Sequence, residues 1–313
     1  MEINHTNHSL VTQFIIVGFS DLNGCESLLF VLLFFIYFFT LSGNVTVITL
    51  IYTQKHLQVP LYFFVVILSF LEIWYTTVTI PKMLANLLNQ KLISFIGCIL
   101  QIYFLHCLGI TETYLLTAMA FDRYVAICNP LRYPTIMNTK FCFHLVGYCW
   151  VIGLIGPTPQ ILLLSKLKFC SSNKIDHIFC DFDPLMKLAC SDISLNLSVD
   201  FAMFSILLFF ALFCIIYSYF KIISVILKIR SIQGQKRAFS TCVAHLTVVM
   251  LFFGSVGFMY VRVTKNYPIV FDRVMAVIYS VITPMCNPII YSLRNREIRD
   301  VIRKKLLKLL NNS

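Results

Sequence analysis

The chain has 313 residues, of which 58% are hydrophobic and only 12% charged, and its mean hydropathy is +0.82. A water-soluble domain carries about twice that charge, and 29 Phe with 15 Tyr leave too little polar residue to cover a globule of this size. Few Gly and Pro and no short repeat also exclude collagen-like, fibrous and disordered chains, so this is an integral membrane protein.

The formal net charge of +11 does not mark a nucleic-acid binder. Lys and Arg fall in short clusters between apolar runs rather than on one continuous basic face. The 12 Cys include no CxxC pair and no Cys/His cluster at zinc spacing, which argues against a structural metal site.

Residues 1–27 read as an extracellular N-terminal segment with glycosylation sequons at Asn4-His5-Thr6 and Asn7-His8-Ser9. No basic n-region of a signal peptide precedes the first apolar run, so that run is expected to serve as its own insertion signal. Three further sequons rank lower. Asn44 lies within a span, Asn196 hugs the fifth span, and Asn311 falls in the cytoplasmic tail.

Seven apolar segments follow, close to Leu28–Ile51, Val59–Ile80, Phe95–Ala120, Phe141–Leu164, Val199–Leu227, Ala238–Val261 and Val270–Ser292. Each has about 22 residues or more, enough for a helix to cross a hydrocarbon core of about 30 Å. Residues 28–292 are therefore expected to form a seven-transmembrane helix bundle, an all-α membrane protein. Most Lys and Arg lie at Lys55, at Arg123 to Lys140, at Lys221 to Arg237 and beyond Arg294. The positive-inside rule then predicts the N-terminus outside and the C-terminus inside.

Residues 293–313 form a cytoplasmic tail, in which Ile298, Val301, Ile302, Leu306 and Leu309 recur at helical spacing among basic residues. That pattern predicts a short amphipathic helix on the anionic inner membrane surface.

Charge inside a bilayer is costly and calls for an explanation. Glu72 lies twelve residues beyond Pro60, and Glu112 eleven before Arg123. Because spans two and three run in opposite directions, the two carboxylates fall at one depth. Asn44 and Asn287 could complete a polar centre with them. Two carboxylates in one dry site share a proton or hold a cation such as sodium. A static hydrogen-bonded core and a proton path are the competing readings. Leu105, Gly109, Glu112, Leu116, Met119 and Arg123 repeat at i+3/i+4 and lie on one face of span three.

Met119-Ala120-Phe121-Asp122-Arg123-Tyr124-Val125-Ala126-Ile127-Cys128 closes that span. Around it stand Gly43-Asn44, Pro60-Leu61-Tyr62-Phe63-Phe64, Ser218-Tyr219, Lys236-Arg237-Ala238-Phe239-Ser240-Thr241-Cys242 and Pro284-Met285-Cys286-Asn287-Pro288-Ile289-Ile290-Tyr291. In order and spacing, over essentially the whole chain, these motifs resemble those of olfactory receptors, a branch of the rhodopsin-like G-protein-coupled receptors. Leu61, Phe121, Arg237, Ala244 and Cys286 depart from the usual residues. Phe253 stands where the family usually carries Tyr, which removes one hydroxyl from the pocket floor.

The resemblance implies a receptor, not an enzyme, for a small volatile odorant. Its partner would be a heterotrimeric stimulatory G protein, with cAMP as the output, at the plasma membrane of olfactory neuron cilia. It implies ligand contacts at Leu105, His106, Gly109, Ile110, Met203, Leu207, Phe253, Val256, Tyr260, Val277 and Ser280, where His106 could equally be a packed core histidine. It assigns the switch and G-protein contact to Asp122, Arg123, Tyr124, Tyr219, Lys236, Arg237, Asn287, Pro288 and Tyr291. Pro288 removes a helix hydrogen bond and makes span seven a natural hinge.

Cys98, Cys170, Cys180 and Cys190 lie on the expected outer side, where four cysteines allow three pairings. The resemblance selects Cys98–Cys180 and Cys170–Cys190. No acid lies on the outer half of span three, which argues against a biogenic-amine ligand. No Lys lies in span seven, which excludes a retinal Schiff base. A proton- or sodium-linked carrier using Glu72 and Glu112 is the alternative, although no internal repeat supports it. No cofactor is expected beyond a sodium ion at those carboxylates.

Overall fold

The structure, a computed structural model, describes residues 11–19, 24–170, 172–260, 269–294 and 298–303. At 237, 240–241, 258–260, 269–270 and 292–294 it describes the backbone alone. The sequons at Asn4 and Asn7 and the side chains of Arg237 and Tyr260 therefore lie outside the described residues.

Long helices dominate. They are α1 (Glu26–Thr53), α2 (Pro60–Leu87) and α3 (Phe95–Cys128), then the one-turn α4 (Tyr133–Ile136), α5 (Thr139–Ile155) and α6 (Thr158–Leu164). The short α7 (Phe182–Met186) precedes α8 (Ser194–Ile226), α9 (Ile232–Tyr260), α10 (Ile269–Val277) and α11 (Thr283–Arg294). Five of these units are long and apolar enough to cross a membrane: α1, α2, α3, α5 with α6, and α8. A sixth, Phe271–Tyr291, runs from α10 into α11. The seventh, α9, holds a shorter apolar stretch, Cys242–Gly257. The fold is a seven-helix transmembrane bundle.

Local chemistry sets the helix ends. Ser94 caps α3 by accepting a hydrogen bond from the Gly97 N–H (3.0 Å), and Asn138 caps α5 through the Phe141 N–H (3.0 Å). The expected fourth span is two helices, because Pro157 cannot donate a backbone hydrogen bond and the helix breaks at 156–157. The expected sixth span starts six residues earlier, at Ile232, so Lys236 stands on the helix rather than ahead of it. Between α10 and α11 the backbone widens into a π-helical turn, Ile278–Ile282, in which the Thr283 N–H reaches back to the Ile278 carbonyl.

α2 and α3 sit inside the bundle, whereas α1 and α8 turn much of their surface outward. Phe34, Phe35, Phe38 and Phe39 on α1, with Phe209, Phe210 and Phe213 on α8, are exposed apolar side chains that a hydrocarbon surround suits. α3 and α5 approach closely at Gly153. A Cβ there would run into the Thr111 side chain and the Cys107 carbonyl.

One end of the bundle carries a small sheet that the sequence reading did not anticipate. β1 (Gln13–Ile16) is the central strand. It pairs antiparallel with β2 (Leu92–Ser94) and parallel with β3 (Lys174–Ile175). Phe14 and Ile16 point inward, with Phe14 edge-on to Phe169 at 5.5 Å, and they share a second apolar core with Cys98, Cys180 and Phe182. The Gly18 N–H bonds the His177 carbonyl (3.1 Å), and any Cβ at Gly18 would overlap that peptide.

Cys98–Cys180 ties the top of α3 to the 165–193 segment, with a Cα–Cα distance of 5.5 Å, and Cys170–Cys190 closes that segment on itself. Beside α8, the Asp192 carboxylate accepts from the Ser194 N–H and Oγ–H. These bonds hold its carboxyl below the usual range. At the opposite end, residues 298–303 are helical. Ile298 and Val301 are buried against the bundle while Arg299, Asp300 and Arg303 are exposed, as an amphipathic surface helix requires.

Candidate functional site

A cleft of about 710 Å³, counting the space at its open side, lies within the bundle toward the sheet end. α3 supplies Leu105, His106, Gly109, Ile110 and Thr113, which recur at three- and four-residue spacing along one face. α6 adds Gln160 and α8 adds Asp200, Phe204, Leu207 and Leu208. Phe252 and Val256 enter from α9, Tyr75 from α2 and Tyr279 from the π turn. Most of the wall is apolar, and the polar groups are few and placed, as in small-molecule sites generally.

His106 is held from several directions. Its Nδ1–H donates to the Ile102 carbonyl (3.0 Å), Nε2 faces Asp181 Oδ1 at 3.7 Å, and its ring meets Phe182 edge-on at 4.5 Å. Gln160 Nε2 donates to Asp200 Oδ1 at 3.0 Å.

Below the cleft lies the polar centre. Asn287 Nδ2 donates to Glu72 Oε1, and Glu112 is buried within electrostatic reach of that carboxyl. Two carboxylates buried together favour a shared proton or a cation beside them. Asn44, buried on α1, donates to the Thr40 carbonyl of its own helix (2.9 Å). Among the described residues, Glu72 Oε2, Glu112 Oε1, Asn44 Oδ1 and Asn287 Oδ1 are buried without a hydrogen-bond partner. Gly43 packs beneath Pro288, whose ring would stand 3.5 Å from a Cβ at that glycine.

At the far end of α3, Arg123 Nη2 and Nε donate to Asp122 Oδ2 at 2.6 and 3.1 Å. Tyr133 of α4 donates its hydroxyl to Asp122 Oδ1 at 2.8 Å. Burial, and then the Asp122 charge beside it, push the Tyr133 phenol above its usual range, so it stays a donor at neutral pH. Tyr219 bonds His245 Nδ1 (2.7 Å), and His245 Nε2 bonds the Leu116 carbonyl (3.1 Å). Tyr291 is buried nearby, with no hydrogen-bond partner on its hydroxyl among the described residues.

A family model described as "Olfactory receptor" matches residues 33–309. The chain belongs to the olfactory receptor family. Olfactory receptor 6N1 of Homo sapiens is 50% identical over 304 residues, 97% of either chain. Olfactory receptor 6K2 of Homo sapiens is 47% identical over 302 residues, 96% of this chain and 93% of its own length. Olfactory receptor 6B9 of Mus musculus is 44% identical over 301 residues, covering 96% and 95%. The receptor is thus a multi-pass membrane protein of the rhodopsin-like G-protein-coupled class, an odorant receptor and not an enzyme.

Of the expected ligand contacts, Leu105, His106, Gly109, Ile110, Leu207 and Val256 line the cleft of the receptor. Met203, Phe253, Val277 and Ser280 do not. On α8 the cleft is lined by Phe204, one residue and about 100° of helical rotation on from Met203. Phe253 is likewise one residue past Phe252. Near the π turn the inward residue is Tyr279, while buried Ser280 donates to the Ala276 carbonyl of its own helix (2.5 Å).

Sequence reasoning also missed Gln160, Asp200, Tyr133 and His245. Asp200 and His245 had a readable signal, as an acid and an imidazole within apolar spans. Of the expected switch residues, Lys236 is exposed on α9, Tyr124 is half-buried with its ring 6.1 Å from Phe121, and Asn287 and Pro288 are buried.

Proposed function

We propose that an odorant in the cleft shifts the receptor toward a state that activates a stimulatory G protein and raises cAMP. The sheet end would face outward, in the plasma membrane of olfactory cilia. The observation that carries this reading is the composition of α3. One helix lines the cleft from Leu105 to Thr113, holds Glu112 in the polar centre, and ends in Arg123 paired to Asp122. Leu105 and Arg123 are about 27 Å apart along it.

In the resting arrangement Arg123 is held by Asp122 and Tyr133, and α9 is held to α3 and α8 through His245. A ligand moves this equilibrium only through its differential affinity for the two states. Phe252 and Val256 carry that preference because they lie on α9, the same helix as His245. Release of α9 would open a cleft beside Arg123, with the basic groups of Lys236 and Arg237 at its edge for the G protein.

The polar centre would bias the same switch. Glu72, Glu112, Asn287 and Asn44 offer hard oxygen donors that fit a sodium ion, and a shared proton between the carboxyls fits equally. Either would favour the arrangement that keeps α2, α3 and α11 together. The test is a panel of volatile compounds applied to cells expressing the receptor at the surface, with cAMP as the readout. Concentration-dependent cAMP from at least one compound is expected, and its absence across the panel in surface-positive cells would contradict the proposal.

A further inference from the structure

We infer that Gly109 sets the shape of ligand that the cleft accepts, by leaving room against the α3 backbone for a compact ring system. Bridged cyclic hydrocarbons with one polar group then fit better than straight chains of equal carbon number. This rests on the reading of the cleft as the ligand site.

Gly109 lies on the cleft-lining face of α3, four residues from Leu105 on one side and from Thr113 on the other. A glycine inside a long helix weakens it relative to alanine, so its presence calls for a reason. The usual reasons are a left-handed backbone or the close approach of another chain segment, and neither holds here. Among the described glycines only Gly24 has a positive φ. At Gly153 a Cβ would collide with Thr111, and at Gly156 it would come within 2.9 Å of the Ile152 carbonyl, but at Gly109 it would have no protein atom within 4 Å. Gly147, Gly254 and Gly257 are equally open, yet none of them lines the cleft. Nor is Gly109 a hinge, since α3 runs unbroken from Phe95 to Cys128 and the Gly109 carbonyl also accepts the Thr113 hydroxyl (2.8 Å).

The walls around this recess are held in place. Leu105 and Leu208 are buried in the bundle core. Ile110 and Leu207 both pack beside Gly156, their Cδ1 atoms 3.0 and 3.4 Å from where a Cβ would stand there. With its neighbours anchored, the space beside Gly109 is a fixed part of the cleft. A bridged ring makes dispersion contacts throughout such a recess, whereas an extended chain leaves part of it unfilled. The ring also loses less conformational freedom on binding. That second effect does not depend on residue 109, so the steric role is read from variants at this position.

The experiment measures ligand-induced thermal stabilisation of the purified full-length receptor in lipid nanodiscs, a readout independent of any G protein. The probes are two pairs matched in carbon number and polar group: camphor with decan-2-one, and borneol with decan-2-ol. In each pair the bicyclic compound is expected to bind about ten-fold tighter than the chain. Gly109→Ala should weaken the bicyclic compounds about ten-fold and the chains less than about two-fold, and Gly109→Val should remove bicyclic binding altogether. The ligand-free melting temperature of Gly109→Ala should equal or exceed that of the unmodified receptor, because alanine favours the helix and meets no neighbour.

A lowered melting temperature in Gly109→Ala would show that the glycine serves helix packing and would overturn the inference. Equal weakening of both shapes, no weakening of the bicyclic compounds, or no stabilisation by either of them would overturn it too. Bicyclic binding that survives a cleft-filling Val256→Trp would place the ligand elsewhere, with the same consequence. Bicyclic binding that is lost stepwise at residue 109, in a receptor that raises no cAMP, would support the inference while contradicting the proposed signalling.

Discussion

Tyr219 on α8 and His245 on α9 share a 2.7 Å hydrogen bond whose direction is set from the other side of the imidazole. The Leu116 carbonyl can only accept, so His245 Nε2 donates to it at 3.1 Å and Nδ1 is left to accept the phenol proton. One buried imidazole thereby ties three helices together between the cleft and Arg123. α9 cannot leave α3 without breaking both bonds.

His245→Ala is expected to raise ligand-free signalling. Two bonds worth together about 1–2 kcal/mol net move a two-state equilibrium roughly five- to thirty-fold. Basal cAMP normalised to surface receptor is the measurement. Adding Tyr219→Phe should change little more, because the two residues share one interaction. Basal output at or below the unmodified level would mean that the bridge does not hold the resting state.

Arg123→Ala should leave the receptor at the surface and remove its response to agonist. The guanidinium offers five donors to a partner at that end, and Ala replaces none of them. Normal agonist-evoked cAMP at matched surface level would refute the role. Tyr133→Phe should raise basal output modestly by taking one donor from Asp122. The phenol is pushed upward by burial and then by Asp122. Its protonated form therefore persists through neutral pH, and its contribution is lost only well above the ordinary tyrosine range. The difference from wild type should thus stay flat between about pH 6 and about pH 9.

Which parts of this were legible in the sequence follows from how local each constraint is. Glu72 and Glu112 could be placed at one depth because each is counted from a membrane-end residue on its own helix. Arg123 and Asp122 were legible for the same reason. The cleft-facing set was harder. A phase error of one residue rotates a side chain by about 100°, enough to exchange Phe204 for Met203 and Phe252 for Phe253. The π turn at 278–282 shifts phase again, and its sequence carries no marker for it. β1 is four residues long and pairs with segments about 80 and 160 residues away. Only those partners make Phe14 and Ile16 a strand.

Replacing Cys98 or Cys180 by Ser should abolish surface display, whereas Cys242→Ser should be mild. The Cys98–Cys180 bond closes a separation of 82 residues, and such crosslinks contribute about 2–4 kcal/mol. Cys242 is a free, buried thiol that Ser nearly matches in volume. Flow cytometry on intact cells separates the cases, and equal display of all three variants would remove the disulfide from the account.

Gly153→Leu should fail to reach the surface, and Gly153→Ala should lower the melting temperature. Even a methyl group meets the Cys107 carbonyl and the Thr111 side chain where α3 and α5 touch. Overpacking of this kind costs about 1–3 kcal/mol. Thr111→Ala should restore part of the loss in the Gly153→Ala background, and no rescue would show that the close approach is not the cause.

The most direct measurement is agonist-stimulated nucleotide exchange on a stimulatory G protein in membranes bearing the unmodified receptor, Val256→Trp or Arg123→Ala. Filling the cleft should abolish the agonist response while leaving the activity of a His245→Ala background intact, and Arg123→Ala should silence both. An agonist response that persists with the cleft filled, or exchange that continues without Arg123, would contradict a switch running along α3 from cleft to G protein.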